Sequence, residues 1–294
     1  MGKKNVENPI SWLTIGIQDF VKKSPQNTLQ NQGDEKAFAA PLIGFASGKD
    51  PLFEDYKHHV GPFHWTPLEI FALTYPELSV TAEELTVISW ILPQTSATKS
   101  DNRKQTKWPA ERWARARIYG EKFNETLRKH VVEILQDEGY EAVAPMLSPQ
   151  WSRKVSDLYG FASTWSERHA AYASGLGTFG LCDGLITPLG KAMRTGSVVA
   201  RIQIAPTQRP YSDHHAYCPH FRDGSCGKCI PRCPVGAITE KGHDKNTCYK
   251  HTSVASRKYT KKHYNFEGRG CGLCQTNVPC ESKIPTQEDI LAYD

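Results

Sequence analysis

Helical and strand periods of apolar residues alternate along the chain as far as about Pro210, and then both fade. Asn8-Pro9 followed by Ile10, Leu13, Ile17, Phe20 and Val21 predicts a capped amphipathic helix. Ser24 to Lys36, polar and rich in Gln and Asn, reads as a surface loop. Ala37 to Phe45 is apolar and runs into Ser47-Gly48-Lys49-Asp50-Pro51, which predicts a strand or extended segment entering a turn. Thr66-Pro67 starts a short helix through Leu73. Thr86 to Leu92 is β-rich and stops at Pro93, as a core strand does. The strongest period covers Ala110 to Gly139, where Trp113, Ala116, Gly120, Phe123, Leu127, Val131 and Ile134 recur at steps of three and four. Gly139 suits the C-cap of that helix. Tyr140 to Ala144 then reads as a strand, Ser163 to Ala173 as a helix and Ser197 to Ile204 as a strand.

The chain has 294 residues, enough for two domains, and the change in pattern predicts a mixed domain over 1–210 and a cysteine-rich one over 211–294. The formal charge of +5 permits an anionic partner without demanding one. No stretch approaches about 18 uninterrupted apolar residues, so no membrane span is expected. Met1-Gly2-Lys3-Lys4-Asn5 opens onto a polar segment without an apolar signal core, which predicts a cytoplasmic protein.

Eight of the nine cysteines fall in the last third. Cys226-Gly-Lys-Cys229-Ile-Pro-Arg-Cys233-Pro234 is the C-x2-C-x3-C-P end of a bacterial ferredoxin run. In two-cluster ferredoxins the fourth cysteine of each run crosses to the other cluster. On that rule Cys218, Cys226, Cys229 and Cys280 would hold one [4Fe-4S] cluster, and Cys233, Cys248, Cys271 and Cys274 the other. The run is irregular: Asp223 stands at an expected ligand position, and Cys274 to Cys280 is stretched. Two structural zinc sites on Cys226-x2-Cys229 and Cys271-x2-Cys274 are the alternative, but they would leave Cys233, Cys248 and Cys280 without a task. His214, His215 and His220 lie near Cys218 as candidate ligands. Cys182, the ninth cysteine, reads as a small buried hydrophobe.

Gly175-Leu-Gly177-Thr-Phe-Gly180 matches G-x-G-x-x-G. It follows a helical pattern, and no acidic residue stands about 20 positions on, so a dinucleotide site is not indicated. The three glycines suit either a tightly packed helix exit or close backbone approach to a flat ligand. Glu167-Arg168, then Ser174 to Gly180, Leu185-Ile186-Thr187-Pro188 and Gly196-Ser197-Val198-Val199, lead straight into the cysteines. That order resembles epoxyqueuosine reductases and the catalytic core of corrinoid reductive dehalogenases, over roughly residues 110 to 285.

The resemblance implies an α+β (α/β) fold: a nitroreductase-like cobalamin-binding domain followed by a ferredoxin-like domain with two [4Fe-4S] clusters. It implies an oxidoreductase in which the clusters feed electrons to cobalt for reductive bond cleavage. Ser174, Gly175, Leu176, Gly177, Thr178, Phe179 and Gly180 would lie against the corrin, with Thr187 and Ser197 as further contacts. Epoxyqueuosine reductases carry an Arg-Asp-Tyr-His segment whose Asp serves as proton donor. The matching stretch here is Tyr119 to Asn124, with Lys122 in place of the Asp. Dehalogenases pair a Tyr with a basic residue, so Tyr119 and Lys122 are the candidate catalytic pair, with His169 and Tyr172 as further donors. The substrate is a small molecule, including an organohalide, or a tRNA. Basic residues from Lys99 to Lys129 would then meet tRNA phosphates, cradle the cofactor, or form a solvated face. Arg257 to His263 would dock an acidic donor such as flavodoxin or ferredoxin. A ferredoxin-type electron carrier without corrin and a zinc-stabilised nucleic-acid module are the other classes left open.

Overall fold

The structure, a computed structural model, describes residues 6–293; Met1 to Asn5, read above for export, lie outside them. Its centre is a four-stranded antiparallel sheet in the order Leu42–Ser47, Thr86–Pro93, Met193–Ala200, Ala142–Val143. Thr86–Pro93 pairs on both sides and is buried along its whole length. Its continuous apolar run follows from helices covering both faces. Ile88, Trp90 and Leu92 point to one face. There they meet Leu13 and Ile17 of the first helix, Pro9–Lys23, and Phe123, Leu127 and Val131 of the long helix. Val87 and Ile91 point to the other, against Phe53, Ile70, Phe71, Trp165 and Ala170. The molecule is α+β, as the pattern implied.

Local chemistry sets the element ends. Asn8 accepts a hydrogen bond from the Ser11 amide at 3.1 Å and caps the first helix. Thr66 and Glu69 close a reciprocal capping box on the helix Pro67–Thr74. The segment from Ala110 is helical over Glu111–Arg115, passes through one π turn at Ala116–Gly120, and continues as Glu121–Asp137. π turns often mark functional sites.

Three boundaries differ from the sequence reading. The helix expected from Ser163 begins at Glu167, because Gly160–Ser163 pairs with Arg153–Ser156 as a hairpin. The strand expected over 197–204 is Met193–Ala200, because its register is set by Thr86–Pro93, with Pro93 opposite Met193 and Thr86 opposite Ala200. Only Ala142–Val143 of the 140–144 segment forms a ladder.

The cysteine region has short elements and a core of its own: Cys218, Cys229, Ile238, Val278 and Cys280 pack with Leu181, Cys182 and Ile186 from the preceding part of the chain. It is fastened chiefly to the segment 96–113. Asn102 is buried, donates to the Cys271 carbonyl at 3.2 Å and to Thr276 Oγ1 at 3.1 Å, and accepts from the Ala110 amide. Arg103 Nε donates to both carboxylate oxygens of Glu281, at 2.9 and 2.8 Å. Gly272 has φ +68°, and a Cβ there would sit 1.9 Å from the Trp113 indole. Only glycine lets the Cys271 loop seat against that ring. Among the described residues no helix is long and apolar enough to cross a membrane.

Candidate iron–sulfur site

Cys218, Cys226, Cys229 and Cys280 line one cavity, closed on the inner side by Leu181, Lys191 and Val278. Cys226 and Cys229 come from one tight turn, in which the Ile230 amide donates to the Gly227 carbonyl at 2.8 Å. Cys280 joins them because the chain folds back at Gly190, where the Lys191 amide donates to the Cys280 carbonyl at 2.8 Å. Burial, with Cys182, Cys280 and Cys218 close by, pushes the Cys229 thiol up to about 12. Such a group ionises when a metal takes its proton's place.

The second set gathers around Cys271. Burial pushes its thiol up to about 12, and the nearest like groups acting on it are Cys248 and Cys233. Cys271 in turn is among the groups raising Cys274. The Ala237 amide donates to Cys233 Sγ at 3.2 Å, an amide-to-sulfur bond of the kind that tunes cluster potentials. The His243 ring lies between Asp183, at 3.0 Å, and Cys248. Burial disfavours its charge, but the hydrogen bonds that the ring donates to these two push its pKa up to about 10. His243 was not singled out in the sequence; its Gly242-His243 turn placement carries no pattern signal.

Cys280 stands with Cys218, Cys226 and Cys229 around one cavity, and four thiols are the donor set that an iron–sulfur cluster takes. Among the described residues no three His, Cys, Asp or Glu side chains converge as ligands of a single metal ion. Of the histidines near Cys218, His215 places Nδ1 2.9 Å from the Phe179 carbonyl, while His220 lines the cavity with its ring nitrogens beside the carbonyls of Cys226 and Glu240. Cys182 is buried between the two sets, its Sγ 4.0 Å from the Cys274 carbonyl oxygen. Beside it Lys191 is 3% exposed. Burial works against its ammonium, yet Cys182, Cys280, Cys229 and Cys274 together hold its pKa well above the usual lysine value.

The glycine stretch turns toward the chain itself. A Cβ on Gly177 would lie 2.2 Å from the Ile186 carbonyl oxygen, and one on Gly175 would lie 3.1 Å from that of Gln208. Thr178 Oγ1 accepts from the Tyr217 amide, and the Phe179 amide donates to the His214 carbonyl. Leu176 packs in the core against the sheet, and Gly180 bonds Gly184 across a turn. Thr187 closes the turn to Gly190 through its hydroxyl, at 2.8 Å. Ser197 sits fully buried between Trp165 Nε1, at 3.0 Å, and Glu167. Ser174 alone leaves a buried hydroxyl without a partner. The glycines therefore let this stretch pack against the chain's own backbone.

Tyr119 and Lys122 are brought together, but outward. The Lys122 ammonium lies 5.6 Å from the Tyr119 ring centroid, over its face rather than at its hydroxyl. Phe266 and the Arg115 guanidinium complete that surface group. The inward side of the same helix carries Glu121, Asn124 and Arg128. Arg128 Nε donates to Glu167 at 2.9 Å and Nη1 to Glu121 at 3.2 Å. His169 and Tyr172 lie in an aromatic group with Tyr56, Phe179 and Tyr211. Within the basic run, Arg103 pairs with Glu281, Arg112 with Glu35 and Asp101, and Arg115 with Glu111, so these three fasten the fold.

No family model matches the chain. An epoxyqueuosine reductase of Bacillus anthracis is 29% identical over 119 residues, which are 39% of this chain and 29% of that protein. Among solved structures, a catabolic reductive dehalogenase covers 95% of this chain and 38% of its own, at 15% identity and a TM-score of 0.48. The epoxyqueuosine reductase of Bacillus subtilis covers 94% of this chain and 67% of its own, at 16% identity and a TM-score of 0.44. The sequence match makes this chain similar to an epoxyqueuosine reductase over 119 residues, and the chain spans less than a third of that protein's length.

Proposed function

We propose that the protein is an iron–sulfur reductase, of the cobalamin-dependent kind, in which two [4Fe-4S] clusters carry single electrons toward a site in the α+β part. The observation that carries this reading is that Cys280 joins Cys218, Cys226 and Cys229 around one cavity, with the other four cysteines left for a second set. Each set supplies the thiolates for one cluster, and the clusters supply one-electron chemistry when bound. The chain's own residues do the rest. The buried Lys191 ammonium and the His243 ring place positive charge beside the thiolates, and Leu181, Ile238 and Val278 keep water from them. A division at about residue 210, a cytoplasmic setting and a flavodoxin or ferredoxin donor belong to this proposal. Corrin binding and the donor pair Tyr119 and Lys122 belong to it through the resemblance; the substrate stays either a small molecule or a tRNA.

Anaerobic purification with iron and cobalt quantified tests it. About eight irons per chain are expected. Cys226→Ser and Cys280→Ser should each remove the same cluster, and Cys248→Ser the other, leaving about four irons in every case. Two zincs without iron overturn the reading. Eight irons with no uptake of cobalamin would leave a ferredoxin-type carrier. If the donor pair holds, Tyr119→Phe and Lys122→Ala each cut turnover strongly; unchanged rates remove that assignment.

A further inference from the structure

We propose that Arg117, Arg194 and Arg269 form a binding site for a phosphate-bearing ligand where the long helix meets the loop that precedes Cys271. Arg117 lies on the π turn and Arg194 on the strand Met193–Ala200. Both approach Glu121 Oε2, each at 3.9 Å, which is beyond hydrogen-bond length. The other oxygen of Glu121 is taken by Arg128, whose guanidinium also binds Glu167. Arg269 lies on the loop that packs there: its neighbour Gly270 sits against Arg117, where a Cβ would lie 3.4 Å from Cγ. The Arg269 Nε is buried and has no hydrogen-bond partner.

Arg117, Arg194 and Arg128 therefore share Glu121, and Arg269 adds like charge beside Arg117 and Arg194. The nearness of Arg194, with burial, pulls Arg117 down to about 9, a sign of like charges held together; it stays charged at neutral pH. Arg117 and Arg194 each keep 27% of the side chain exposed, so a ligand reaches them from solvent. The excess of positive charge suits the negative charge of a phosphate ester, and planar forked donors match its oxygens.

The test is calorimetric titration of the anaerobic protein, at low chloride, with inorganic pyrophosphate. One saturable site is expected, weakened about tenfold or more in Arg269→Gln and in Arg194→Gln, as loss of one charge-assisted bond predicts. Lys23→Gln, on the far helix, should bind as wild type, and unchanged iron content in the variants shows that they fold. Absence of a saturable site, or equal binding in Arg269→Gln, overturns the proposal. Competition by hydroxocobalamin but not by cobinamide, which lacks the nucleotide phosphate, assigns the site to a cofactor tail. Competition by neither assigns it to a substrate. The titration needs neither cobalt nor turnover, so its failure is distinct from failure of the reductase reading.

Discussion

Arg128 is 1% exposed and holds two carboxylates, Glu121 and Glu167, beneath the sheet. Removing one member of a buried ion pair leaves an uncompensated charge, whereas removing both can be close to neutral. Arg128→Ala should therefore destabilise by about 3–5 kcal/mol in urea unfolding. Arg128→Met combined with Glu167→Gln should lose clearly less. His64 illustrates the reverse case. Burial pulls its imidazole from 6.5 to about 4, and its Nε2 has no partner. The unfolded chain then binds a proton below pH 6.5 that the folded chain refuses until about pH 4. Stability is full above pH 6.5 and falls as the pH drops through that window, by about 3 kcal/mol in all. Urea unfolding of wild type and His64→Leu at pH 7 and pH 4.5 checks this: the gap between the two proteins should narrow or reverse at the lower pH.

At the scale of elements, the helix Ser96–Arg103 and the loop after it are the clasp on the second cysteine set. Asn102, Arg103 and the carbonyls that receive Arg232 all lie there. Asn102→Ala removes three hydrogen bonds and should cost about 1–3 kcal/mol in urea unfolding. Gly272→Ala sets a side chain into the Trp113 ring at a positive φ. It should lower iron from about eight to about four per chain while leaving the first cluster's signal in electron paramagnetic resonance. Eight irons in that variant would mean that the Cys271 loop does not need this seat. The capped helices and the strand Thr86–Pro93 were legible in the sequence, because caps and apolar periods act within a few residues. The π turn and the 193–200 register were not. A π turn has no period of its own, and strand register is decided by partners about 100 residues away.

Over the whole molecule, the basic residues divide into an exposed group and a group tied into the fold. The helix Ser256–Tyr264 exposes Arg257, Lys258 and Lys262 next to the second cysteine set, while Arg103, Arg112 and Arg115 are tied into the fold. If an acidic donor docks on that helix, Lys258→Glu with Lys262→Glu should slow reduction by flavodoxin about tenfold at low salt, and the difference should shrink at high salt. Stopped-flow reduction at two ionic strengths measures it; equal rates at low salt move the donor elsewhere. The sequence by itself determined the positions and spacing of the eight thiols and the glycine stretch before them, because such spacing is local and few chemistries need it. The tertiary structure alone decided that the glycine stretch packs on its own backbone, that Tyr119 and Lys122 face outward, and that Arg117, Arg194 and Arg269 converge. Those facts depend on which faces meet when distant segments pack, and no run of neighbouring residues encodes that meeting.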